Sequence, residues 1–276
     1  MIGRYTVTLD GKSLEAQVTK KVTFVNDKGQ KDERTERPLT ILDVNYSGLA
    51  FQTKAQTSDG LDGYELSDEY ANRQTVTVTF ELRLYDIAER SKAVSTLITW
   101  ARDGGILRVN DRPGQYLKVR LETPPVIGSV RNWLDPLTMV FSTVGVPYWF
   151  DDTVEVKSLT GSTTVTKGNF ASKGNAPKTN VTVDVVADAK VTWVKLACGG
   201  SNLYFNGLNM AKNDVLQITY TNDRYLTAKV GKTSVLNKLQ PSSTDRLVAN
   251  PGRVNTISVS ASAKVTATFR GVGLWR

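Results

Sequence analysis

The chain has 276 residues, which is enough for two domains of common size. It contains no histidine and a single cysteine, Cys198, so histidine-based catalysis, an intramolecular disulfide and a cysteine-rich zinc site are excluded. No apolar run approaches the ~20 residues of a membrane span, and the alternating start MIGRYTVTLDG predicts a strand, so we expect a soluble protein without a secretion signal or membrane insertion.

Charge divides the chain into two parts. Residues 1–152 carry 19 Lys and Arg against 21 Asp and Glu, a net charge of −2. Residues 153–276 carry 16 against 6, a net charge of +10. We therefore predict one domain over 1–152 and a second over 153–276.

Strand patterns with one helix fill the first part. In QTVTVTFELRLY, alternate residues from Val76 to Leu84 are apolar, which predicts a strand with one buried face. Further strand-like segments are RYTVTL, KVTFV, TILDVNY, ILRVN, YLKVRLE and PLTMVFSTV.

A helix is predicted over 86–103. Asp86 suits the N-cap, Glu89 stands three residues later as in a capping box, and Gly104 and Gly105 end the helical pattern. The apolar positions that should face a sheet are Ile87, Val94, Leu97, Ile98 and Ala101.

A tight turn follows the helix. In VNDRPGQYLKV, Pro113 suits the second turn position or a neighbouring one, and Gly114 supplies a positive φ. The pattern predicts a β-hairpin between ILRVN and YLKVRLE.

Two polar segments, 26–38 and 52–73, are predicted as long irregular loops. Each is either a flexible loop or an exposed arm that becomes ordered against a neighbouring subunit. The residues chosen as inter-subunit or partner contacts are Lys28, Lys31, Arg34, Arg37, Asp59, Asp62, Tyr64 and Tyr70.

The second part is predicted to be a β-sandwich without a helix of normal length. Its strand patterns recur every 8 to 15 residues or so, with turn residues between them. The segments TNDR and KVGKTS suit hairpin turns, and NPGRVN suits a turn before a late strand.

Candidate chemistry is sparse. Paired carboxylates could in principle hydrolyse glycosides, but the acidic residues of the second part mostly adjoin turn residues, where structural roles are commoner: Glu155, Asp184, Asp188, Asp214, Asp223 and Asp245. Possible glycan or partner contacts on the sandwich are Tyr204, Tyr220 and Tyr225, whereas Trp193 and Phe205 are expected to be core or half-buried strand residues. The excess positive charge suits nucleic acid, anionic cell-wall polymers or acidic proteins, or it is a solvated surface.

The order of these elements resembles the distal tail proteins of long-tailed bacteriophages. The resemblance rests on QTVTVTFELRLY, a helix ending in WARDGG, the hairpin ILRVNDRPGQYLKVRL, the exit strand to VGVPYWF, the entry GNFASKGNAPKTNVTVDV and the closing strands of TDRLVANPGRVNTISVSASAKVTATFRGVGLW. It implies a mainly β fold, with an N-terminal mixed β-sheet domain carrying one packed helix and a C-terminal galectin-like antiparallel β-sandwich.

The resemblance further implies a non-enzymatic, cofactor-free structural protein of the virion, made in the host cytoplasm and placed at the distal end of the tail. Six copies would form a ring between the tail-tube protein and the tail-tip hub protein, with DNA passing through the lumen and peripheral or receptor-binding proteins attached outside. The alternatives are a carbohydrate-binding β-sandwich protein, a histidine-free glycosidase and another tail or injection-system subunit.

Overall fold

The computed structural model describes residues 5–49, 51–56, 65–127 and 135–276, with the backbone alone at 51–56 and 65–71. It divides into two compact units, Met1–Pro147 and Tyr148–Arg276, called here the N-terminal and C-terminal units. The charge pattern places its boundary five residues later, after Asp152.

The described part of the N-terminal unit contains eleven strands, one α-helix and a 3₁₀-helix at Glu15–Gln17. The helix, α1, is Ile87–Ala101. The strands are β1 (Val7–Leu9), β2 (Lys12–Ser13), β3 (Lys20–Val25), β4 (Lys31–Glu36), β5 (Leu39–Tyr46), β6 (Phe51–Gln56), β7 (Glu65–Ala71), β8 (Thr75–Leu82), β9 (Gly105–Val109), β10 (Gln115–Thr123) and β11 (Leu137–Thr143).

Seven of these strands form one antiparallel sheet in the order β2-β1-β9-β10-β11-β8-β5. Strand β8 shows why the sheet forms, because Val76, Val78, Phe80 and Leu82 are fully buried while the residues between them are partly exposed. The predicted alternation is confirmed. Each such side chain gains about 1.5 to 3 kcal/mol on burial, which holds the strands to a common core.

Helix α1 lies against this sheet. The ring of Trp100 meets Phe141 of β11 edge to face, with 6.4 Å between the ring centroids. Val94, Leu97 and Ala101 are buried as predicted, but Ile87 is 53% exposed, so its assignment to the buried face was wrong. Ile87 is the first residue of the helix, and at this end the apolar stripe extends past the buried core.

The helix ends are close to those predicted. The side chain of Asp86 accepts a hydrogen bond from the backbone N–H of Ala88 at 2.6 Å, which makes it the N-cap. Glu89 accepts a hydrogen bond from Lys20 at 2.9 Å, which ties the helix to β3. The helix stops at Ala101 rather than at 103, before glycines with positive φ at 104 and 105. Among the described residues no helix is long and apolar enough to cross a membrane.

The predicted hairpin is confirmed as β9 and β10. Leu107 pairs with Leu117, and the backbone N–H of Gln115 bonds to the carbonyl of Arg112 at 3.3 Å. Gly114 has φ +75°, the value that a type II turn has at its third residue, after a proline at the second.

The two segments predicted as irregular loops contain strands, so that prediction was wrong. Strands β3 and β4 form a two-stranded hairpin, and β6 pairs with β7 in another. Residues 57–64 lie outside the described part. Strand β4 shows the physical reason, because it is polar and almost wholly exposed. Its backbone groups form hydrogen bonds with β3. Since neither of its faces is buried, its sequence has no alternation of apolar and polar residues from which a strand could be predicted.

The C-terminal unit contains a second set of strands and a 3₁₀-helix at Leu236–Lys238. The strands are β12 (Trp149–Gly161), β13 (Thr166–Ser172), β14 (Thr179–Ala187), β15 (Val191–Cys198), β16 (Ser201–Met210), β17 (Val215–Thr221), β18 (Tyr225–Val230), β19 (Thr233–Ser234), β20 (Val248–Ala249), β21 (Arg253–Ala261) and β22 (Val265–Trp275).

Two sheets of this unit face each other across one core. One has the order β19-β18-β17-β14-β22-β12, with β20 added beside β14, and the other has the order β13-β21-β15-β16. Buried side chains of both sheets form a single apolar cluster, which includes Phe170, Val183, Phe205, Ile257 and Phe269. The unit is a β-sandwich, and the prediction of a mainly β protein is confirmed.

The predicted turns of the sandwich have the expected backbone. Asn222 and Asp223 both have positive φ between β17 and β18, and Gly231 has φ +59° between β18 and β19. In NPGRVN, the buried amide of Asn255 accepts from the N–H of Asn250 at 2.8 Å and donates to the Asn250 carbonyl at 3.1 Å. These bonds close the loop that leads into β21.

Two glycines of the N-terminal unit allow a matched test. Gly104 and Gly114 have φ +73° and +75°, but a Cβ on Gly104 would lie 2.2 Å from the Val119 carbonyl oxygen, whereas nothing lies within 4 Å of one on Gly114. We expect Gly114→Ala to lower the free energy of unfolding by about 1 kcal/mol, the cost of the left-handed backbone, and Gly104→Ala by about 3 kcal/mol or more, because the backbone must also move. Urea denaturation followed by circular dichroism measures both, and equal losses would contradict this.

Candidate interaction surfaces

The hairpin formed by β3 and β4 presents charged side chains on both faces. Its turn is fixed by Asn26, whose side-chain oxygen accepts from the backbone N–H groups of Lys28 and Gln30, both at 3.0 Å. The four basic residues predicted here as contacts are all exposed: Lys28, Lys31, Arg34 and Arg37. The structure therefore brings these predicted residues together along one hairpin.

One face of this hairpin combines charge with exposed apolar area. Arg34 forms an ion pair with Glu36, and its guanidinium carbon lies 5.8 Å from the centroid of the Phe24 ring. Phe24 is 41% exposed and Val25, on the opposite face, 65% exposed. Arginine and aromatic side chains are enriched at protein interfaces, whereas Lys, Asp and Glu are depleted there, so Arg34 and Phe24 are the residues of this hairpin that suit a protein contact.

The second hairpin, β6 with β7, is described by its backbone. Its register pairs Phe51 with Ala71 and Gln52 with Tyr70. Tyr70, one of the predicted contacts, therefore lies near the base of this hairpin. Asp59, Asp62 and Tyr64 lie outside the described residues.

A groove runs along the exposed side of α1. Two adjoining cavities of about 630 and 380 Å³ share Gln17, Lys92 and Thr96. The larger one is also lined by Trp100, and the smaller by Lys20 and Glu89. The hydrogen bond to Glu89 raises the pKa of Lys20. This groove was not predicted from the sequence, although polar residues on one side of the helix line it.

The hairpin tip at Asp111 is tied to β5. The hydroxyl of Tyr46 donates to the carboxylate of Asp111, with oxygen distances of 2.7 and 2.9 Å, and the guanidinium of Arg112 lies 5.3 Å from the centre of the Tyr46 ring. Burial, followed by the hydrogen bond to Asp111, holds the pKa of Tyr46 well above its usual range. This contact positions the turn without forming a site of its own.

The three tyrosines predicted as contacts on the sandwich lie on both sheets. Tyr204 is on β16 of the four-stranded sheet, whereas Tyr220 and Tyr225 belong to β17 and β18 of the other sheet. Tyr225 is 67% exposed. The structure therefore does not bring the three residues together in one platform.

Tyr204 belongs to a small aromatic cluster that the sequence reasoning did not assemble. Its ring meets Trp193 edge to face, with an interplanar angle of 84°, and the Lys195 ammonium lies 4.4 Å from the Tyr204 centroid. Trp193 is half-buried and Phe205 fully buried, as predicted. The sequence does contain a sign of this contact: Lys195 stands two residues after Trp193, and residues two apart on a strand lie on the same face.

Tyr220 holds a loop in place. Its hydroxyl accepts from the backbone N–H of Leu247 at 2.8 Å and lies 3.2 Å from the Leu247 carbonyl oxygen. Burial raises the pKa of Tyr220 to about 12. Tyr220 therefore anchors the segment before β20, and its hydroxyl is already engaged inside the unit.

Four carboxylates of the C-terminal unit also have structural partners. Asp184 pairs with Arg270, Asp188 lies 3.6 Å from the ammonium of Lys264, and Glu155 lies 3.2 Å from that of Lys173. Asp214 accepts from the backbone N–H of Ala211 at 2.8 Å. Among the described residues no group of three or more Cys, Asp and Glu could hold a metal ion.

We expect Tyr220→Phe to lower the free energy of unfolding of the C-terminal unit by about 1 to 2 kcal/mol, because the backbone groups of Leu247 lose a buried partner. Tyr225→Phe is the matched control, since Tyr225 is exposed, and should change stability by less than about 0.5 kcal/mol. Thermal and urea denaturation of the two variants test this, and equal effects would argue against the anchor.

Tyr220 also gives a pH dependence. Its pKa of about 12 lies above the ordinary value of 10.0, so its contribution to stability is complete below pH 10 and is lost as the pH rises through 12. Between pH 9 and pH 12 the wild-type protein should lose about 2 kcal/mol more than Tyr220→Phe. Denaturation at several alkaline pH values measures the difference, and parallel curves would refute it.

Known proteins resemble this chain in structure. No family model and no curated protein sequence matches it. The SPP1 Dit (gp 19.1) protein, described as a paradigm of the hub adsorption apparatus in phages that infect Gram-positive bacteria, superposes with a TM-score of 0.66 and 15% identity over 98% of this chain and 99% of that chain.

Two baseplate structures of phage P2 in the activated conformation give lower similarity. The one with Ca has a TM-score of 0.47 and 10% identity, covering 99% of this chain and 98% of that chain. The one with Sr has a TM-score of 0.44 and 10% identity, covering 98% of each. From the comparison with SPP1 Dit, the chain has the fold of a phage distal tail protein over nearly its whole length.

Proposed function

We propose that this protein is a structural subunit of the tail tip of a long-tailed bacteriophage. The observation that carries the proposal is the structural similarity to SPP1 Dit, which covers 98% of this chain and so extends over both units. A shared β-sandwich alone would be weak support, because such folds serve many functions. The similarity to SPP1 Dit is more specific, because it extends over the N-terminal unit with its helix and sheet as well as over the sandwich.

In this proposal six copies close into a ring through their N-terminal units. The ring connects the tail-tube protein on one side to the tail-tip hub protein on the other, at the distal end of the virion tail. Peripheral or receptor-binding tail proteins attach to the C-terminal units. A ring requires a heterologous interface, in which one surface of a subunit fits a different surface of the next.

The hairpin of β3 and β4 supplies one such surface. It extends a two-stranded ladder into solvent, with Phe24 and Val25 exposed beside Arg34 and Lys31. An isolated two-stranded hairpin is marginally stable in water, so contact with a neighbouring copy would stabilise it. The groove along α1 is a candidate for the other surface. The hairpin of β6 and β7 is a second candidate for contact with a neighbouring copy.

Charge is compatible with a lumen formed by the N-terminal units. Residues 1–152 have a net charge of −2, so DNA would pass them without being held, whereas residues 153–276 have a net charge of +10. We propose that the C-terminal units lie away from the lumen.

A non-enzymatic role agrees with the state of the acidic residues. The carboxylates of Asp184, Asp188 and Glu155 form ion pairs, and that of Asp214 caps a turn. A glycosidase needs one protonated and one ionised carboxyl group facing a common cleft. These four groups instead have the partners expected of structural residues.

The carbohydrate-binding alternative lacks a common aromatic platform, because Tyr225, which is 67% exposed, lies on a different sheet from Tyr204. Stacking on sugar rings needs exposed aromatic faces, but Trp193 and Tyr204 meet at 84° and Lys195 lies over the Tyr204 ring. Tyr220 is committed to Leu247. A glycan array probed with the purified protein should therefore give no binding that depends on Tyr204.

The oligomeric state tests the proposal. Light scattering across a concentration series should detect a species of about 180 kDa, six times the subunit mass of 30.3 kDa, that grows by mass action. A monomer at all concentrations, even with the tail-tube and hub proteins present, would contradict the ring.

A pair of valines tests the role of the hairpin. Val25 on β3 and Val254 on β21 are 65% and 67% exposed. We expect Val25→Asp to raise the concentration needed for assembly by about tenfold or more, because a charge would enter the interface. Val254→Asp should leave assembly unchanged. Equal effects of the two substitutions would exclude the hairpin from the interface.

A further inference from the structure

Four lysines that are far apart in the sequence lie on loops at one end of the sandwich. The strand registers define that end, because Gly161 pairs with Val265 there while Trp149 pairs with Trp275 at the opposite end. Five connections lie at the Gly161 end, at residues 162–165, 188–190, 211–214, 231–232 and 262–264. All but the first carry one lysine: Lys190, Lys212, Lys232 and Lys264.

These lysines follow the strand order of the larger sheet. Lys232 lies in the turn between β18 and β19, Lys212 precedes β17, Lys190 follows β14, and Lys264 precedes β22. Strands β18, β17, β14 and β22 are consecutive neighbours in the sheet. Neighbouring strands are about 4.8 Å apart, so the four loops span on the order of 15 Å. We call this arrangement the lysine row.

The lysine row is exposed, and neighbouring carboxylates neutralise only part of its positive charge. All four lysines are exposed, and Lys167 and Lys229 lie close by at the ends of β13 and β18. The acidic residues of these loops are Asp188, which pairs with Lys264, and Asp214, which caps a turn. Within residues 135–276, all of which the structure describes, no carboxylate lies within ion-pair distance of Lys190, Lys212 or Lys232.

The chemistry of the row favours a linear polyanion. Lysine is a compact point charge that contacts phosphate without a fixed geometry, and it is depleted at protein–protein interfaces. Binding of single-stranded nucleic acid commonly adds aromatic side chains on which bases stack. The five loops contain no aromatic residue. The row therefore offers charge to a phosphate chain and no platform for a base.

We propose that the lysine row binds a linear phosphodiester polymer that lacks bases, of the polyol-phosphate type. Successive phosphates of the polymer would lie along successive loops, and each contact would release a counterion. This site adds a ligand to the protein and does not depend on ring formation.

The experiment measures binding of a short poly(glycerol phosphate) oligomer to the full-length protein by titration calorimetry across roughly 50 to 200 mM salt. Single-stranded DNA with the same number of phosphates and neutral dextran serve as comparison ligands. We expect the logarithm of the association constant to fall with the logarithm of salt concentration with a slope of roughly −2 to −3, as for three or four neutralised phosphates.

Two triple variants with equal charge locate the site. One replaces Lys190, Lys212 and Lys232 by Gln in the row, and the other replaces Lys178, Arg246 and Arg253 by Gln at the opposite end, all exposed. The row variant should lose about tenfold or more in affinity and roughly two units of salt slope, whereas the control should change less than about twofold. Circular dichroism melting confirms that both variants fold.

Three results would overturn the proposal. Absence of oligomer binding by the wild-type protein at low salt would exclude the site. Equal losses in the two triple variants would show that net charge alone attracts the polymer. Tighter binding of single-stranded DNA than of the oligomer would assign the row to nucleic acid.

Discussion

Antiparallel strand pairing with burial of alternate side chains is the interaction on which both units depend. The chain has one cysteine and no histidine, and Cys198 is buried in the sandwich, so no disulfide supports the fold. In β8 and β14 every second residue is buried, and each ladder is completed by a neighbour on both sides. Backbone hydrogen bonding and apolar burial therefore reinforce each other along the same strands.

The hairpin of β3 and β4 departs from that rule, and the proposed ring interface is inferred from this departure. Its backbone is paired, but its side chains have little core to cover. A ladder of this kind loses conformational entropy without the usual gain from burial. A neighbouring subunit would supply the missing contact, which is why the proposed ring places its interface there and leaves the C-terminal sandwich free for other partners.

The sequence predicts those elements whose burial follows a period, and it fails where burial is absent or distant. The alternation of β8, the stripe of α1 and the positive φ of Gly114 were all readable locally. Strand β4 was missed because an exposed paired strand has no apolar period. Tyr220 and Tyr225 look alike in sequence, but only the fold reveals which of them contacts Leu247. The lysine row likewise exists only after the topology places four distant loops at one end.

In the proposed assembly, the N-terminal units of six copies close a ring. Electron micrographs of the heaviest species from the purified protein test it most directly. A closed ring of six copies should give six-fold class averages with a central opening and one protruding lobe for each subunit. Two-fold dimers joined through the sandwiches, or open filaments, would contradict it.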